Sequence, residues 1–170
     1  GEYKVGETIP TISPSMDIQV SSNFERLLFN IYNGSGADVR HLMENLKQSG
    51  VFIISSDPLD RAKETFDSLR VSEDETKSTI ANVYKSTAQI IDPHTAVGIH
   101  AARLIRQDKS VPMISLSTAH PAKFPDAVED VTGIHPALPA HMADLFDREE
   151  KFDILPNDLG ALKKYILEHL

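Results

Sequence analysis

The chain has 170 residues, a formal net charge of −8 and no cysteine, and 41% of its residues are apolar. This composition is typical of a globular domain, and the negative charge argues against nucleic acid and anionic lipid as partners. The lack of cysteine excludes disulfides, thiolate metal sites and a cysteine nucleophile, and no apolar run approaches the ~20 residues of a membrane span, so a cytoplasmic location is expected.

The first twenty residues contain glycine and proline and show no helical periodicity. They predict an extended opening segment over residues 1–20. The chain begins at Gly1 rather than at a methionine. We therefore expect a fragment of a larger protein, in which residues 1–20 lead in from an amino-terminal part.

Residues 21–91 are predicted to form a helical subdomain that begins with two amphipathic helices. Ser22 and Glu25 have the spacing of a capping box, and apolar residues then recur at helical intervals until an Asn-Gly pair ends the pattern. A second helix is expected from Gly36 to Gly50, because glycine suits the left-handed end of a helix. The apolar run that follows is either a short strand or a core loop.

Two further helices complete this predicted subdomain. Asp57 is the expected N-cap of the first, with proline in the first turn. Its inward face is expected to carry three apolar residues, Ala62, Phe66 and Leu69. Ser72 and Glu75 form another capping box, which predicts a long helix with an apolar stripe that reaches Ile91.

Residues 92–170 are predicted to return to a sheet and to end in a helix. Asp92 and Pro93 begin a helix whose small residues imply close packing. The run Val111–Leu116 is the most convincing strand of the chain. Asn157 is expected to cap the terminal helix, which has three inward apolar residues, Leu159, Leu162 and Ile166.

The predicted fold class is α/β, rich in helices and with few strands. A lone buried strand cannot satisfy its own backbone hydrogen bonds. Either the doubtful strands are real, or the rest of the sheet lies outside these residues. The second possibility favours a part of a larger α/β protein.

The chain has seven histidines, and a metal-dependent hydrolase that uses His94, His120 and His141 is one functional alternative. No His-Glu-x-x-His motif is present, so surface or core histidines are the simpler interpretation. Neither a Gly-x-Ser-x-Gly elbow nor a Gly-rich phosphate loop occurs. A non-catalytic interaction module is the second alternative.

The segment Ser117–Phe124 directly follows the predicted strand and leads through Pro121 towards a helix. Open α/β sheets place ligands at this edge, and small hydroxyl residues there can hydrogen-bond to a ligand without adding charge. The other interpretation is a strand-to-helix turn with a hydroxyl N-cap. Position alone does not decide between them.

Three separate motifs carry a specific family resemblance. In chain order they are Ser13–Ile18 running into Ser21–Arg26, then Asp92–Gly98, then Ser117–Phe124. Together they closely resemble the carboxy-terminal part of threonine synthase, and the resemblance spans essentially the whole chain.

This resemblance implies the helix-rich carboxy-terminal part of a fold type II pyridoxal-phosphate enzyme, the fold of the tryptophan synthase β-subunit. The implied activity is a lyase reaction of threonine biosynthesis, which converts O-phospho-L-homoserine and water to L-threonine and phosphate with the cofactor as electron sink. Thr118 is the residue implied to meet the cofactor's pyridine nitrogen. Four residues of the first motif are implied for the substrate side: Ser15, Asp17, Asn23 and Arg26. For Arg26, a surface or ion-pairing role is an equal alternative.

The resemblance also implies what this segment lacks. In the family, the lysine that carries the cofactor and the Gly/Asn-rich cradle for the cofactor phosphate precede this part of the chain, and Lys123 has no such role. We therefore expect no catalytic residue and no metal ligand here, an inactive fragment, and the amino-terminal part of the same protein as partner. Asp92 and His94 are interpreted first as a helix cap and its neighbour.

Overall fold

The computed structural model describes all 170 residues. The chain divides into two compact units, Gly1–Pro136 and Ala137–Leu170. The first unit contains β1 (Glu2–Lys4), α1 (Phe24–Ile31), α2 (Gly36–Ser49), β2 (Val51–Ile53), α3 (Ser56–Lys63), α4 (Glu73–Thr87), α5 (Pro93–Ile105) and α6 (Pro125–Thr132). The second unit contains α7 (Leu159–Glu168). None of these helices is both long and apolar enough to cross a membrane.

A hydrophobic core lies between the small sheet and helices α1 and α2. Strands β1 and β2 are antiparallel, with Tyr3 opposite Phe52, and these two rings stack with their centroids 4.9 Å apart. Six buried side chains form this core: Leu28, Ile31, Leu42, Leu46, Phe52 and Ile54. The apolar run after α2 is therefore a strand, and its partner comes from the opening segment.

The start of α1 differs from the prediction. The Ser22–Glu25 capping box is wrong, because Asn23 is the N-cap and no side-chain hydrogen bond caps the helix there. The helix begins one residue later than predicted, so Glu25 occupies its second position, whereas a capping box requires the third. The end of α1 at an Asn-Gly pair is confirmed, since both residues have positive φ.

Helix α2 begins and ends as predicted. Ser35 caps its start by accepting a hydrogen bond from the backbone N–H of Asp38. Gly50 follows its last residue with φ of 72°, a left-handed conformation that glycine adopts without steric cost. The chain then turns directly into β2.

Helix α3 begins and ends earlier than predicted. Its N-cap is Ser55 rather than Asp57, and its last residue is Lys63. Phe66 and Leu69, which were predicted on its inward face, lie beyond its end and are 59% and 40% exposed. Helices in proteins are stabilised mostly by packing of an apolar face, and no element of this unit covers these two side chains.

The capping box at the start of α4 is confirmed. The Ser72 N–H donates to Glu75 Oε2 over 2.7 Å, and the Glu75 N–H donates to Ser72 Oγ over 3.3 Å. The helix ends at Thr87, before the predicted limit at Ile91. It packs against α5 and α6, and the buried side chains of the three helices include Thr76, Thr79, Ile80, Val83, Ala96 and Val128.

The segment Val111–Leu116, predicted as the best strand, forms no β-ladder. One side of it packs on α5, where Ser115 Oγ lies 3.3 Å from the position that a Cβ on Gly98 would occupy. This confirms the close packing predicted from the small residues of α5. Ile114 and Leu116 are 82% and 75% exposed. The strand prediction is wrong for this chain because no other segment of it pairs with these residues.

The second unit has little structure besides α7. Two short 3-10 turns, Ala140–Met142 and Leu145–Asp147, precede the helix. Asp158, not Asn157, is the N-cap, and it accepts a hydrogen bond from the Ala161 N–H. The three residues predicted to face inward are 65%, 43% and 47% exposed: Leu159, Leu162 and Ile166. The predicted burial is wrong within this unit, which offers no second helix or sheet to cover them.

The capping box of α4 makes a pH-dependent contribution to stability that can be tested. Ser72→Ala should lower the free energy of unfolding by about 1 kcal/mol at neutral pH. Hydrogen bonds from Ser72 lower the pKa of the Glu75 carboxyl. A carboxyl with a lowered folded-state pKa stabilises the fold above its unfolded-state pKa, and this contribution is lost as pH falls through the folded value. The stability difference from wild type, measured by urea denaturation, should therefore shrink below pH 4.5.

Glu75→Gln provides the matched control, because it preserves the shape of the side chain and removes the titrating group. In the Glu75→Gln background, the effect of Ser72→Ala should not change over the same pH range. An effect that depends equally on pH in both backgrounds would contradict the role assigned to Glu75.

Candidate functional site

Asp92 is the centre of the candidate site. It is the N-cap of α5, as predicted, and it is fully buried. Its Oδ1 accepts hydrogen bonds from the backbone N–H groups of His94 and Thr95, over 2.9 and 3.4 Å. The carboxylate also accepts from two side chains, the His94 Nδ1–H over 3.0 Å and the Thr95 hydroxyl. A buried carboxylate is costly unless it is hydrogen-bonded, and these four donors satisfy it.

His94 connects Asp92 to the first motif. Its Nε2 accepts a hydrogen bond from the backbone N–H of Ser15 over 3.2 Å. Since Nε2 accepts, the ring proton is on Nδ1, the atom that faces Asp92. Phe124, at the end of the third motif, packs against the imidazole with ring centroids 4.6 Å apart. His94, in the second motif, therefore contacts both of the others.

Thr95 connects Asp92 to Thr118. The Thr95 hydroxyl donates to Asp92 Oδ2 and accepts from the backbone N–H of Thr118, over 3.1 Å for the second bond. Thr118 itself is exposed, and its hydroxyl has no hydrogen-bond partner within the chain. The main chain of Thr118 is therefore held in place, while its hydroxyl is available to a ligand.

Asp92, His94 and Ser15 do not form a catalytic triad. In such a triad, the histidine accepts the hydrogen bond of the serine hydroxyl and takes its proton. Here, Nε2 accepts from the backbone N–H of Ser15 instead, so the lone pair that a general base uses is occupied. The arrangement holds the backbone of the Ser15 loop and does not activate a nucleophile.

The structure brings only some of the predicted site residues together. The Asp17 carboxylate accepts from the backbone N–H and from the hydroxyl of Thr11, each over 2.7 Å, and so closes the loop that carries Ser15. Asn23 and Arg26 lie at the start of α1, and neither hydrogen-bonds to this loop or to the third motif. Arg26 is exposed and has no ion-pair partner.

An open cleft of about 710 Å³ lies beside this loop. Its charged lining residues are Glu7, Asp17, Arg70 and Glu73. The Glu73 carboxylate also accepts a hydrogen bond from the Ile12 N–H over 3.3 Å, which joins the loop to the start of α4. Of the four residues predicted for the substrate side, only Asp17 lines this cleft.

The histidines do not assemble into a metal site. His120 is the N-cap of a 3-10 turn, where its Nδ1 accepts a hydrogen bond from the Ala122 N–H over 3.2 Å, and both ring nitrogens of His94 are already hydrogen-bonded. No group of three or more His, Cys, Asp or Glu side chains is placed to hold a metal ion. The alternative of a metal-dependent hydrolase therefore has no support from the structure.

The sequence interpretation did not include Thr95 among the site residues. A signal for it was present, because a threonine three residues after an aspartate N-cap can direct its hydroxyl back to the capping carboxylate. No local sequence signal predicts the hydrogen bonds that His94 and Thr95 make to distant parts of the chain. His94 and Thr95 hydrogen-bond to residues that are 79 and 23 positions away in the chain.

Comparisons with known proteins agree with the motif resemblance. A family model described as "Threonine synthase, C-terminal" matches residues 95–166. The threonine synthase of Pseudomonas aeruginosa is 50% identical over 161 residues, which cover 94% of this chain and 34% of the relative. A crystal structure of threonine synthase from Brucella melitensis with bound pyridoxal phosphate matches at a TM-score of 0.86 and 46% identity, over 99% of this chain and 36% of that one. Yeast threonine synthase matches at a TM-score of 0.80 and 37% identity, over 99% and 38%.

The fold and the motifs define the class of this chain as the helix-rich carboxy-terminal part of an α/β enzyme, which confirms the predicted fold class. Within that class, the chain belongs to the threonine synthase family. It spans about a third of the length of the relatives that it matches.

Proposed function

We propose that this chain closes one side of the cofactor site in a threonine synthase, which converts O-phospho-L-homoserine and water to L-threonine and phosphate in the cytoplasm. One observation carries the proposal: the side chains that bond to Asp92 connect all three family motifs. In this arrangement the Thr118 hydroxyl has no partner in the chain. In this proposal the chain contributes binding residues but no catalytic residue, and it is inactive alone.

Pyridoxal phosphate is bound by the Brucella melitensis relative, and the proposal extends this cofactor to the present enzyme. When bound, it supplies the electron sink for loss of phosphate and addition of water. Thr118 suits the cofactor's pyridine nitrogen, because the residue is exposed and its hydroxyl is uncharged and without a partner in the chain. Such a hydroxyl can donate to that nitrogen without requiring it to be protonated.

Lys123 is not proposed as the lysine that carries the cofactor. It is exposed at the end of a 3-10 turn, with its Nζ 6.0 Å from the centroid of the Phe124 ring. The family resemblance places the cofactor lysine and the phosphate cradle before this part of the chain. The proposed partner is therefore the amino-terminal part of the same protein.

The segment Val111–Leu116 supports this partner. Ile114 and Leu116 are largely exposed, and apart from one carbonyl at the start of the segment, its backbone groups make no hydrogen bond within the chain. An apolar segment with free backbone donors and acceptors is suited to pairing with a β-strand. A sheet in the amino-terminal part would satisfy these backbone groups and cover these side chains.

Four residues are proposed for the substrate side: Ser15, Asp17, Asn23 and Arg26. Ser15 has the most direct support, because His94 holds its backbone while its side chain is exposed. Asp17 shapes the same loop through Thr11. Arg26 has no acidic partner in the chain, so its guanidinium is available to an anionic substrate.

We propose that the chain consists of three parts in the whole enzyme. Residues 1–20 lead in from the amino-terminal part, residues 21–91 form a helical subdomain, and residues 92–170 return to the sheet at the cofactor. The position of Asp92 supports the second boundary, since this residue begins the helix that connects to the Thr118 segment.

Thr118→Val tests the cofactor contact in the full-length enzyme. It retains the shape of the side chain but removes the hydroxyl, which should leave the pyridine nitrogen unpaired at a cost of about 1–3 kcal/mol. The Kd for pyridoxal phosphate should rise and kcat should fall, each by roughly tenfold to a hundredfold. Cofactor titration and an assay of phosphate release measure the two effects.

Thr118→Ser is the matched control, because it retains the hydroxyl and should preserve most of the affinity and activity. If Thr118 serves only the turn into the following helix, the Val variant will lower the Tm of the apo and holo proteins alike and leave Kd unchanged. An unchanged Kd removes Thr118 from the cofactor site.

Lys123→Ala should leave cofactor binding by the full-length enzyme unchanged, because this exposed lysine is not the attachment point. The visible absorbance of the bound cofactor should saturate at the same stoichiometry in the wild type, in Lys123→Ala and in the control variant Lys109→Ala. Loss of that band in Lys123→Ala alone would identify Lys123 as the attachment site and contradict the proposal.

The isolated chain should self-associate through Val111–Leu116, because nothing in the chain covers this apolar segment. Ile114→Lys should therefore reduce both the association measured by sedimentation and the binding of an apolar dye. Leu104→Lys, which changes an exposed residue within the hydrogen-bonded helix α5, is the control and should have a smaller effect. A wild-type chain that is monomeric at high concentration and binds no dye would show that this segment needs no partner.

A further inference from the structure

We infer that Asp92 is a positioning residue that holds Ser15 and Thr118 in a fixed spatial relation, acting through His94 and Thr95. We refer to Asp92, His94 and Thr95 as the Asp92 network. The inference rests on the proposed function, because it takes Ser15 to be on the substrate side and Thr118 on the cofactor side. It adds residues that would touch neither ligand.

The two oxygens of the Asp92 carboxylate lead to the two segments. Oδ1 accepts from His94 Nδ1 over 3.0 Å, and His94 Nε2 accepts from the Ser15 N–H over 3.2 Å. Oδ2 accepts from the Thr95 hydroxyl, and Thr95 Oγ1 accepts from the Thr118 N–H over 3.1 Å. A continuous series of hydrogen bonds therefore joins the two loops through a single residue.

Capping of α5 explains only part of this arrangement. An N-cap must accept hydrogen bonds from the first backbone N–H groups of the helix, and Asp92 does so with Oδ1. The bonds to the His94 ring and to the Thr95 hydroxyl are not needed for capping, and asparagine caps helices as well as aspartate does. Two side-chain donors on opposite oxygens do require a carboxylate, which is an acceptor at both atoms.

Both series of hydrogen bonds end at backbone N–H groups. Ser15 and Thr118 are exposed residues, and their hydroxyls have no partner in the chain, so the main chain is held while the side chains that would face a ligand stay free. The network itself is shielded from water, since Asp92, His94 and Thr95 are 0%, 6% and 4% exposed. Hydrogen bonds in such surroundings are strong and maintain the geometry that binding and catalysis need.

The first test separates the two connections in the full-length protein without cofactor. Thr95→Val removes the acceptor for Thr118. His94→Asn retains a donor towards Asp92, but its shorter side chain places no acceptor where Nε2 meets the Ser15 N–H. Amide hydrogen exchange, followed by NMR, should rise about tenfold or more at Thr118 only in the first variant and at Ser15 only in the second. Thr95→Ser retains the hydroxyl and should exchange like the wild type.

The second test measures the two ligands separately. Thr95→Val should raise the Kd for pyridoxal phosphate about tenfold with little change in the KM for O-phospho-L-homoserine, and His94→Asn should raise that KM about tenfold with little change in Kd. Asp92→Asn retains Oδ1, which caps the helix and accepts from His94, and loses the acceptor towards Thr95, so it should raise Kd while KM and the Tm stay near the wild-type values. If the network were only structural, all variants would have a lower Tm, and no variant would change Kd or KM independently of the other.

Exchange rates that do not differ between the two amides, or Kd and KM values that change together in every variant, would overturn the inference. Equal exchange rates at the Thr118 amide in Thr95→Ser and Thr95→Val would also overturn it. If the wild-type protein binds no pyridoxal phosphate and forms no threonine, the proposed function has failed, and the inference with it. If the wild type is active and the two connections do not separate, only the inference has failed.

Discussion

The structure around the candidate site depends on a single buried carboxylate. Asp92 has no exposed surface, and a charge in that position is tolerated only when hydrogen-bond donors replace the water it has lost. Four donors do so, two from the backbone of α5 and two from the side chains of His94 and Thr95. Each side chain is thereby oriented, and each then accepts a hydrogen bond from a distant segment.

The segment just before Thr118, in contrast to Asp92, is largely exposed and lacks most hydrogen-bond partners. Val111–Leu116 exposes apolar side chains and leaves nearly all of its backbone groups without partners in the chain, whereas the carboxylate of Asp92 and both ring nitrogens of His94 are paired. Thr118 lies between these two environments. Its backbone is tied to the Asp92 network, and its hydroxyl remains available. This contrast is consistent with a chain that spans about a third of the length of its relatives.

Three local signals in the sequence correctly predicted local interactions. The Ser72–Glu75 capping box, the left-handed Gly50 and the Asp92 N-cap all involve residues within about four positions of each other, and all three are present. The Ser22 capping box failed because it was displaced by one residue. Predictions of burial failed for another reason. Phe66 was assigned to an inward face by its spacing, but spacing cannot show whether another element covers that face.

The sequence by itself determined the helix-rich character of the chain, several helix ends, the family through three motifs, and Thr118 as the first candidate for a cofactor contact. These features follow from residue types at short spacings. Only the tertiary structure showed that Ser15 and Thr118 are joined through His94, Asp92 and Thr95. The reason is physical, because hydrogen bonds between residues far apart in the chain depend on how helices and loops pack. A pattern of neighbouring residues does not predict that packing.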